Sequence, residues 1–146
     1  MAPLVVLVTV TLAARGLGAL GVDPLDGWPP ALTAGLVAML LLTASAHFTS
    51  PRRAALVAMV PPRLPRPELL VTVTGVLELA GAAGLLLPAT RTAAGICLAL
   101  LFVVMFPANV HAARAAAGVR TMPLPARSAL QVVFVAACLV PALAAW

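Results

Sequence analysis

Four side chains in this sequence have the chemistry and the setting to do more than pack: Glu78, Arg15, His47 and Asn109. Glu78 stands alone among small and apolar residues in GVLELAGAAGLLLP, residues 75–88. A carboxylate in such a run can bind or relay a proton, orient a ligand or pair with a cation, and left unpaired in lipid it is costly. Arg15 interrupts an earlier apolar run. Each of the two lies eleven residues into its run, taken as 67–87 and 4–21. At 1.5 Å per residue that places both roughly 16 Å from the same membrane edge, and equal depth is what an ion pair needs. Two roles for Glu78 follow: a clamp with Arg15 that ties two helices, or a proton-handling carboxylate whose charge Arg15 holds.

His47 ends one apolar run, and Asn109 follows Phe106–Pro107 at the end of another. Histidine accepts and donates protons near neutral pH. These two are expected to line the mouth of a cavity with Glu78 at its floor. Glu68, His111 and Gln131 fall at the same edge. Glu68 and His111 read as interfacial residues, Glu68 also as a first-turn helix anion. No C-x-x-C or H-E-x-x-H is present, and nothing in the spacing of His47, His111 and Glu68 demands a metal. Cys97 and Cys138 lie inside apolar runs at similar outer-leaflet depth and read as buried, inert thiols that act as small apolar residues, with a disulfide between them as the alternative.

The elements that must position these groups are membrane helices. The 146 residues are 63% hydrophobic and 9% charged, against about 25% charged in a soluble domain. Too little polar surface exists to coat a water-soluble globule, so the bilayer is the expected solvent and main partner. Apolar runs of about 18 residues or more read as spans. Five are visible, at 4–21, 30–48, 67–87, 91–108 and 127–146, in one domain over 1–146. GVDPLDGW and PATR are the turn signals between the first two and between the third and fourth. The first run lacks a basic leader and carries Arg15, which favours a retained helix over a cleaved signal peptide. In TSPRRAALVAMVPP, Ser50 is suited to cap a helix and Pro51 to begin it. Leu56, Val57 and Val60 give that segment an apolar face, so an interfacial helix is expected at about 51–60.

The helix holding Glu78 has a small-residue face. Thr74, Gly75, Gly81, Ala82 and Leu85 share it by i±3/4 spacing, and Ala80 with Gly84 makes a second small pair. Gly75, Gly81 and Gly84 are therefore the candidate packing positions, where a neighbouring helix can approach closely. Pro107 removes a backbone donor near the end of the fourth span, which frees a carbonyl at cavity depth.

The chain has no Lys, and its net charge of +5 comes from Arg. Arg52, Arg53, Arg63, Arg66, Arg114, Arg120 and Arg127 fall on one side of five alternating spans, and Arg91 alone falls in a connection on the other. This is a topology signal rather than a nucleic-acid footprint, and no nucleic-acid partner is expected. It places the N-terminus in the cytoplasm and Trp146 outside. The Ala, Gly, Pro and Arg usage suggests a bacterial origin.

In order and spacing, SAHFTSP, MVPPRLPRPELL, GVLELAGAAGLLLPATR and VMFPANV resemble the DoxX family of small bacterial membrane proteins, from about residue 30 to the C-terminus. The resemblance implies an antiparallel four-helix membrane bundle. It puts His47 and Phe48 at the family's His-Phe pair. Glu78, Gly81 and Gly84 fall in its E-x-x-G-x-x-G-L-like segment, and Phe106 to Asn109 in its Phe-Pro-Ala-Asn-like stretch. The family takes its name from a subunit linked to membrane quinone oxidoreduction. That implies a quinone as ligand and a membrane or peripheral oxidoreductase as partner. The helix carrying Arg15 is an addition to the usual four. No haem, flavin or iron–sulfur motif is visible, which argues against autonomous redox activity.

The sequence thus predicts an all-α, polytopic membrane helix bundle: a four-helix antiparallel DoxX-like core plus one N-terminal transmembrane helix. The expected function is an accessory or quinone-binding component of a membrane redox system. Glu78 would bind or relay a proton, Arg15 hold its charge, and His47 with Asn109 contact the ligand's polar head. The rivals are a carrier of small hydrophobic solutes, whose broken helices and midplane charges are transporter features, and a scaffold subunit clamped by Arg15–Glu78.

Overall fold

The computed structural model describes residues 1–115 and 122–144. These form six α-helices: α1 (Ala2–Ala19), α2 (Trp28–Phe48), α3 (Arg52–Met59), α4 (Pro67–Leu86), α5 (Arg91–Ala115) and α6 (Leu124–Leu143), with a short 3-10 turn at Asp23–Leu25 between the first two. Four of them, α1, α2, α4 and α6, carry proline in their first turn, where its missing N–H has no intrahelical acceptor to serve. Every helix but α3 is long and apolar enough to cross a membrane. Large apolar side chains such as Val76, Leu100, Val104 and Val132 point outward. That is the arrangement expected where lipid is the solvent, and the protein is a multi-pass helical membrane bundle.

The five long helices alternate in direction, with the short α3 between the second and third of them. α4 and α5 are joined by a tight turn, and α2, α4, α5 and α6 close into a ring, since α6 returns to touch α2. This is the four-helix core. Leu36, Met39, Leu40, Leu85, Leu98 and Cys138 fill it with almost no exposure, and the Phe102 and Phe134 rings meet with centroids 6.2 Å apart. α1 lies against α2. The starts of α1, α4 and α6 gather with the ends of α2 and α5 at one end of the bundle, and α3 covers part of that end.

α1 and α2 begin two residues earlier than the sequence reading, at Ala2 and Trp28, and three further differences bear on the site. α5 runs through Pro107 to Ala115 instead of ending at 108, so Asn109 and His111 are helical. Proline removes one hydrogen bond, and the Ala-rich HAARA that follows has enough helix propensity to carry the helix on. α6 begins at Leu124, three residues before the expected start, with Pro125 in its first turn. Ser50 does not cap α3, whose N-cap position is Pro51 without a side-chain cap. Arg120 and Trp146, both used in the topology reading, lie outside the described residues.

Candidate functional site

α4 turns its small-residue face inward, as its spacing requires. Val71, Gly75, Glu78, Gly81, Ala82 and Leu85 are its buried residues. Gly75 is what lets α2 come close. A Cβ added there would lie 2.6 Å from His47 Cβ and 2.9 Å from its Cγ. Gly81 and Gly84 do the same toward α5, against Leu98 and, at 2.8 Å, Ala94 Cβ. The three candidate packing glycines thus bring α2 and α5 onto α4, on either side of the carboxylate.

Glu78 is 2% exposed and His47 3%. His47 sits in the last turn of α2, and its Nε2 stands 3.5 Å from Glu78 Oε1. Thr43, one turn earlier on the same face of α2, donates its hydroxyl to Glu78 Oε2 over 2.6 Å. His47 Nδ1 lies 2.7 Å from the Val71 carbonyl oxygen. A carbonyl only accepts, so Nδ1 carries the proton, with Thr74 Oγ1 a longer second acceptor at 3.3 Å. Nε2 is then the nitrogen that faces the carboxylate. With Nε2 bare and Glu78 ionised, two lone pairs would oppose each other in a dry site. The geometry therefore calls for one proton between them: on the imidazole as imidazolium–carboxylate, or on Glu78 as a carboxylic acid facing neutral imidazole. Either form is neutral overall, which is how a buried acid and base escape the cost of isolated charge.

Arg53, at the start of α3, locks this corner. Its Nη1 donates to the His47 carbonyl over 2.6 Å, and its Nη2 donates to the Glu68 carbonyl at 3.1 Å and to Thr72 Oγ1 at 3.0 Å. A cation belongs at the C-terminal end of α2, where carbonyls lack intrahelical donors. Beneath α3 is a cavity of about 210 Å³ lined by His47, Thr74, Leu56, Val60, Met105 and Asn109, among others. The expected apolar face of α3 roofs it through Leu56 and Val60. His47 and Asn109 do line one cavity, as the sequence suggested. Glu78 lies behind His47 rather than on the cavity floor. Asn109 accepts a hydrogen bond from Arg127 Nη1 at 3.1 Å.

Arg15 is not part of this centre, and the expected Arg15–Glu78 pair does not form. Arg15 Nη1 pairs with Asp26 Oδ1 at 3.5 Å, and its guanidinium lies 5.9 Å from the Trp28 ring centroid. The inter-helix connection supplies the nearby carboxylate, and α2 supplies Glu78 with closer partners. Residue counting put the two at equal depth, but Arg15 sits at the Trp28 end of α2 and Glu78 near its His47 end, and α2 and α5, not α1, pack on α4. The scaffold reading loses its clamp with that pair. Cys97 and Cys138 are both free, Cys138 buried and Cys97 facing outward instead of inward as expected. Among the described residues no three His, Cys, Asp or Glu side chains gather as metal ligands.

Thr43 and Arg53 are the members of the site that sequence reasoning missed. A signal existed for the first: Thr43 and His47 are four apart on one helix, hence on one face. For Arg53 there was none, since a loop arginine read first as a topology marker.

The fold and the site define a class: a multi-pass helical membrane bundle with an acid–base pair sealed in its core. The chain belongs to the family described as a domain of unknown function, DUF8561, whose model matches residues 36–142. The match starts within α2 and ends within α6, so it takes in Thr43, His47, Glu78 and Asn109 and leaves out α1 with Arg15. No curated protein and no solved structure matches the chain.

Proposed function

We propose that the protein is a small-molecule-binding component of a membrane redox system, that its ligand is a quinone or a similarly lipid-soluble compound, and that His47 and Glu78 exchange the proton that accompanies the ligand's redox change. The observation that carries this reading is the buried acid–base pair, in which His47 Nε2 faces Glu78 Oε1 at 3.5 Å while Nδ1 is held by the Val71 carbonyl. Reduction of a quinone to a quinol takes up two electrons and two protons, and a buried pair holding one proton is suited to deliver one of them inside the membrane. The electrons come from an oxidoreductase partner, membrane-bound or peripheral. The resemblance to DoxX proteins supports the same assignment. The arginine distribution supports an orientation in a bacterial plasma membrane with the N-terminus in the cytoplasm and the C-terminus outside. The centre would then draw protons from the cytoplasmic side, under α3.

The test is quinone-dependent redox activity in membranes of the native host, with wild type compared against Glu78→Gln and His47→Ala. Both variants are expected to lose most of the activity that wild type supports. Unchanged activity together with unchanged quinone binding in both would overturn the proposal.

A further inference from the structure

A second cavity, of about 370 Å³, lies between the first turn of α1, the later half of α2, the end of α5 and the start of α6. Its apolar wall includes Met39, Phe102 and Phe134, and its polar lining is Thr43, Asn109, Arg127 and Gln131. Gln131 Nε2 is buried and has no hydrogen-bond partner. An unmade hydrogen bond at a buried donor is costly, and each such group in a folded protein calls for an explanation. Arg127 uses its Nε on the Met122 carbonyl at 3.0 Å and its Nη1 on Asn109 Oδ1 at 3.1 Å. Among the described residues no carboxylate forms an ion pair with it. Asn109 spends its oxygen on Arg127, which leaves its amide N–H groups to donate.

Gln131, Arg127 and Asn109 therefore offer donors, from α5 and α6, at one end of an apolar chamber. A donor-lined chamber of this kind selects an acceptor oxygen carried on an apolar body. Thr43 lines the same chamber and donates to Glu78 Oε2, so one hydroxyl separates the chamber from the His47–Glu78 proton.

We infer that this cavity is the binding site for the oxygen-bearing head of an amphiphile, which rests on the reading that the protein binds a lipid-soluble molecule. The head's oxygen accepts from Gln131 Nε2 and from the Arg127 guanidinium. The apolar body lies against Met39, Phe102 and Phe134. A quinone carbonyl and a fatty-acid carboxylate share this chemistry.

Decylubiquinone and laurate, titrated separately and in competition into the detergent-purified full chain by calorimetry, distinguish the two sources. At least one probe is expected to bind saturably. Gln131→Leu, which keeps the bulk and removes the donor, is expected to weaken that binding tenfold or more. The same variant, free of ligand, is expected to melt no lower than wild type, because it also removes the orphaned donor. Gln131→Glu, which offers an acceptor beside Arg127, is expected to weaken binding as well and serves if the leucine variant does not fold. Binding of laurate alone supports the cavity and removes the quinone reading. Quinone binding undiminished in both variants keeps the quinone reading and overturns the cavity assignment. The assignment is also overturned if neither probe binds saturably, or if both variants lose binding and stability together, the signature of a packing residue.

Discussion

His47 fixes its Nδ1 proton on the Val71 carbonyl and turns Nε2 toward Glu78 Oε1, 3.5 Å away, so a base on the last turn of α2 faces an acid in the middle of α4. The two halves of this pair are not equivalent in what their loss does. His47→Leu leaves a buried carboxylate without a basic partner, and breaking a buried pair in that way costs about 3–5 kcal/mol. Glu78→Gln leaves a neutral amide that can donate to Nε2 and accept from Thr43, and is expected to cost no more than about 1 kcal/mol, the net worth of an ordinary hydrogen bond. Thermal unfolding in detergent should rank wild type, Glu78→Gln and His47→Leu in that order. The glutamine variant should keep the fold while losing proton exchange. Equal destabilisation by the two changes would mean that the pair does not carry its proton as the geometry requires.

Gly75 sets how closely α2 and α4 approach, and the demand can be measured. An alanine Cβ there would meet His47 Cβ at 2.6 Å, His47 Cγ at 2.9 Å and Phe48 Cε2 at 3.0 Å. The obstacle is the stem of a side chain held by hydrogen bonds at both ends of its residue, not a flexible tip. Gly75→Ala is therefore expected to cost about 1–3 kcal/mol by overpacking, despite alanine's better helix propensity. Gly16→Ala on α1 is the control: nothing lies within 4 Å of its added Cβ, so propensity alone acts and stability should rise by up to about 1 kcal/mol. Melting temperatures that move in the same direction for both variants would contradict this account.

Arg15 pairs at 3.5 Å with an aspartate whose side chain is 69% exposed, and its own is 32% exposed. Exposed pairs contribute about 0–1 kcal/mol, and the Trp28 ring adds little at an open site. Arg15→Leu should shift stability by no more than about 1 kcal/mol and leave both the proton exchange proposed for the His47–Glu78 pair and the stability cost of Glu78→Gln unchanged. A double-mutant cycle between Arg15 and Glu78 checks this directly. An appreciable coupling energy would restore the clamp that the sequence suggested.

The architecture was legible because a bilayer demands long apolar runs, and a run of that length has one reading. The buried face of α4 was legible for a related reason: small residues at i±3/4 spacing mark where a neighbour comes close, and Glu78 lies on that face. What could not be read was which neighbour arrives. Counting residues put Arg15 and Glu78 at one depth, but Arg15 lies beside Asp26 and Trp28 at the start of α2, Glu78 meets Thr43 and His47 toward its end, and α2 rather than α1 lies against α4. Thr43 reaches Glu78 only because α2 is rotated to aim Thr43 and His47 at one point, and packing sets that rotation. The reach of α5 beyond 108 was missed because the span was ended where its apolar run ends, whereas a helix can continue through polar residues and past one lost hydrogen bond when good helix formers follow. Gln131 was placed only at the membrane edge, since only a folded structure can show that a donor is buried without an acceptor.

Arg53 ties α3 to two other helices with one guanidinium: it reaches the His47 carbonyl at the end of α2, and the Glu68 carbonyl and Thr72 hydroxyl in the first turns of α4. It is the main polar tie holding α3 over the cavity that His47 lines. Hydrogen bonds from a charged donor are worth about 1.5–3 kcal/mol each when net stability is counted, though these are partly open to solvent and belong at the lower end. Arg53→Ala is therefore expected to destabilise the protein by about 1–3 kcal/mol and to free α3 first. Amide hydrogen exchange should speed up over residues 52–59 well before it does in α4. Arg53→Lys should recover little of the loss, because an ammonium is a point donor without the planar fork that lets Nη1 and Nη2 serve α2 and α4 together. Exchange that rises equally in α3 and α4, or a lysine variant indistinguishable from wild type, would show that the guanidinium fork is not what holds the roof in place.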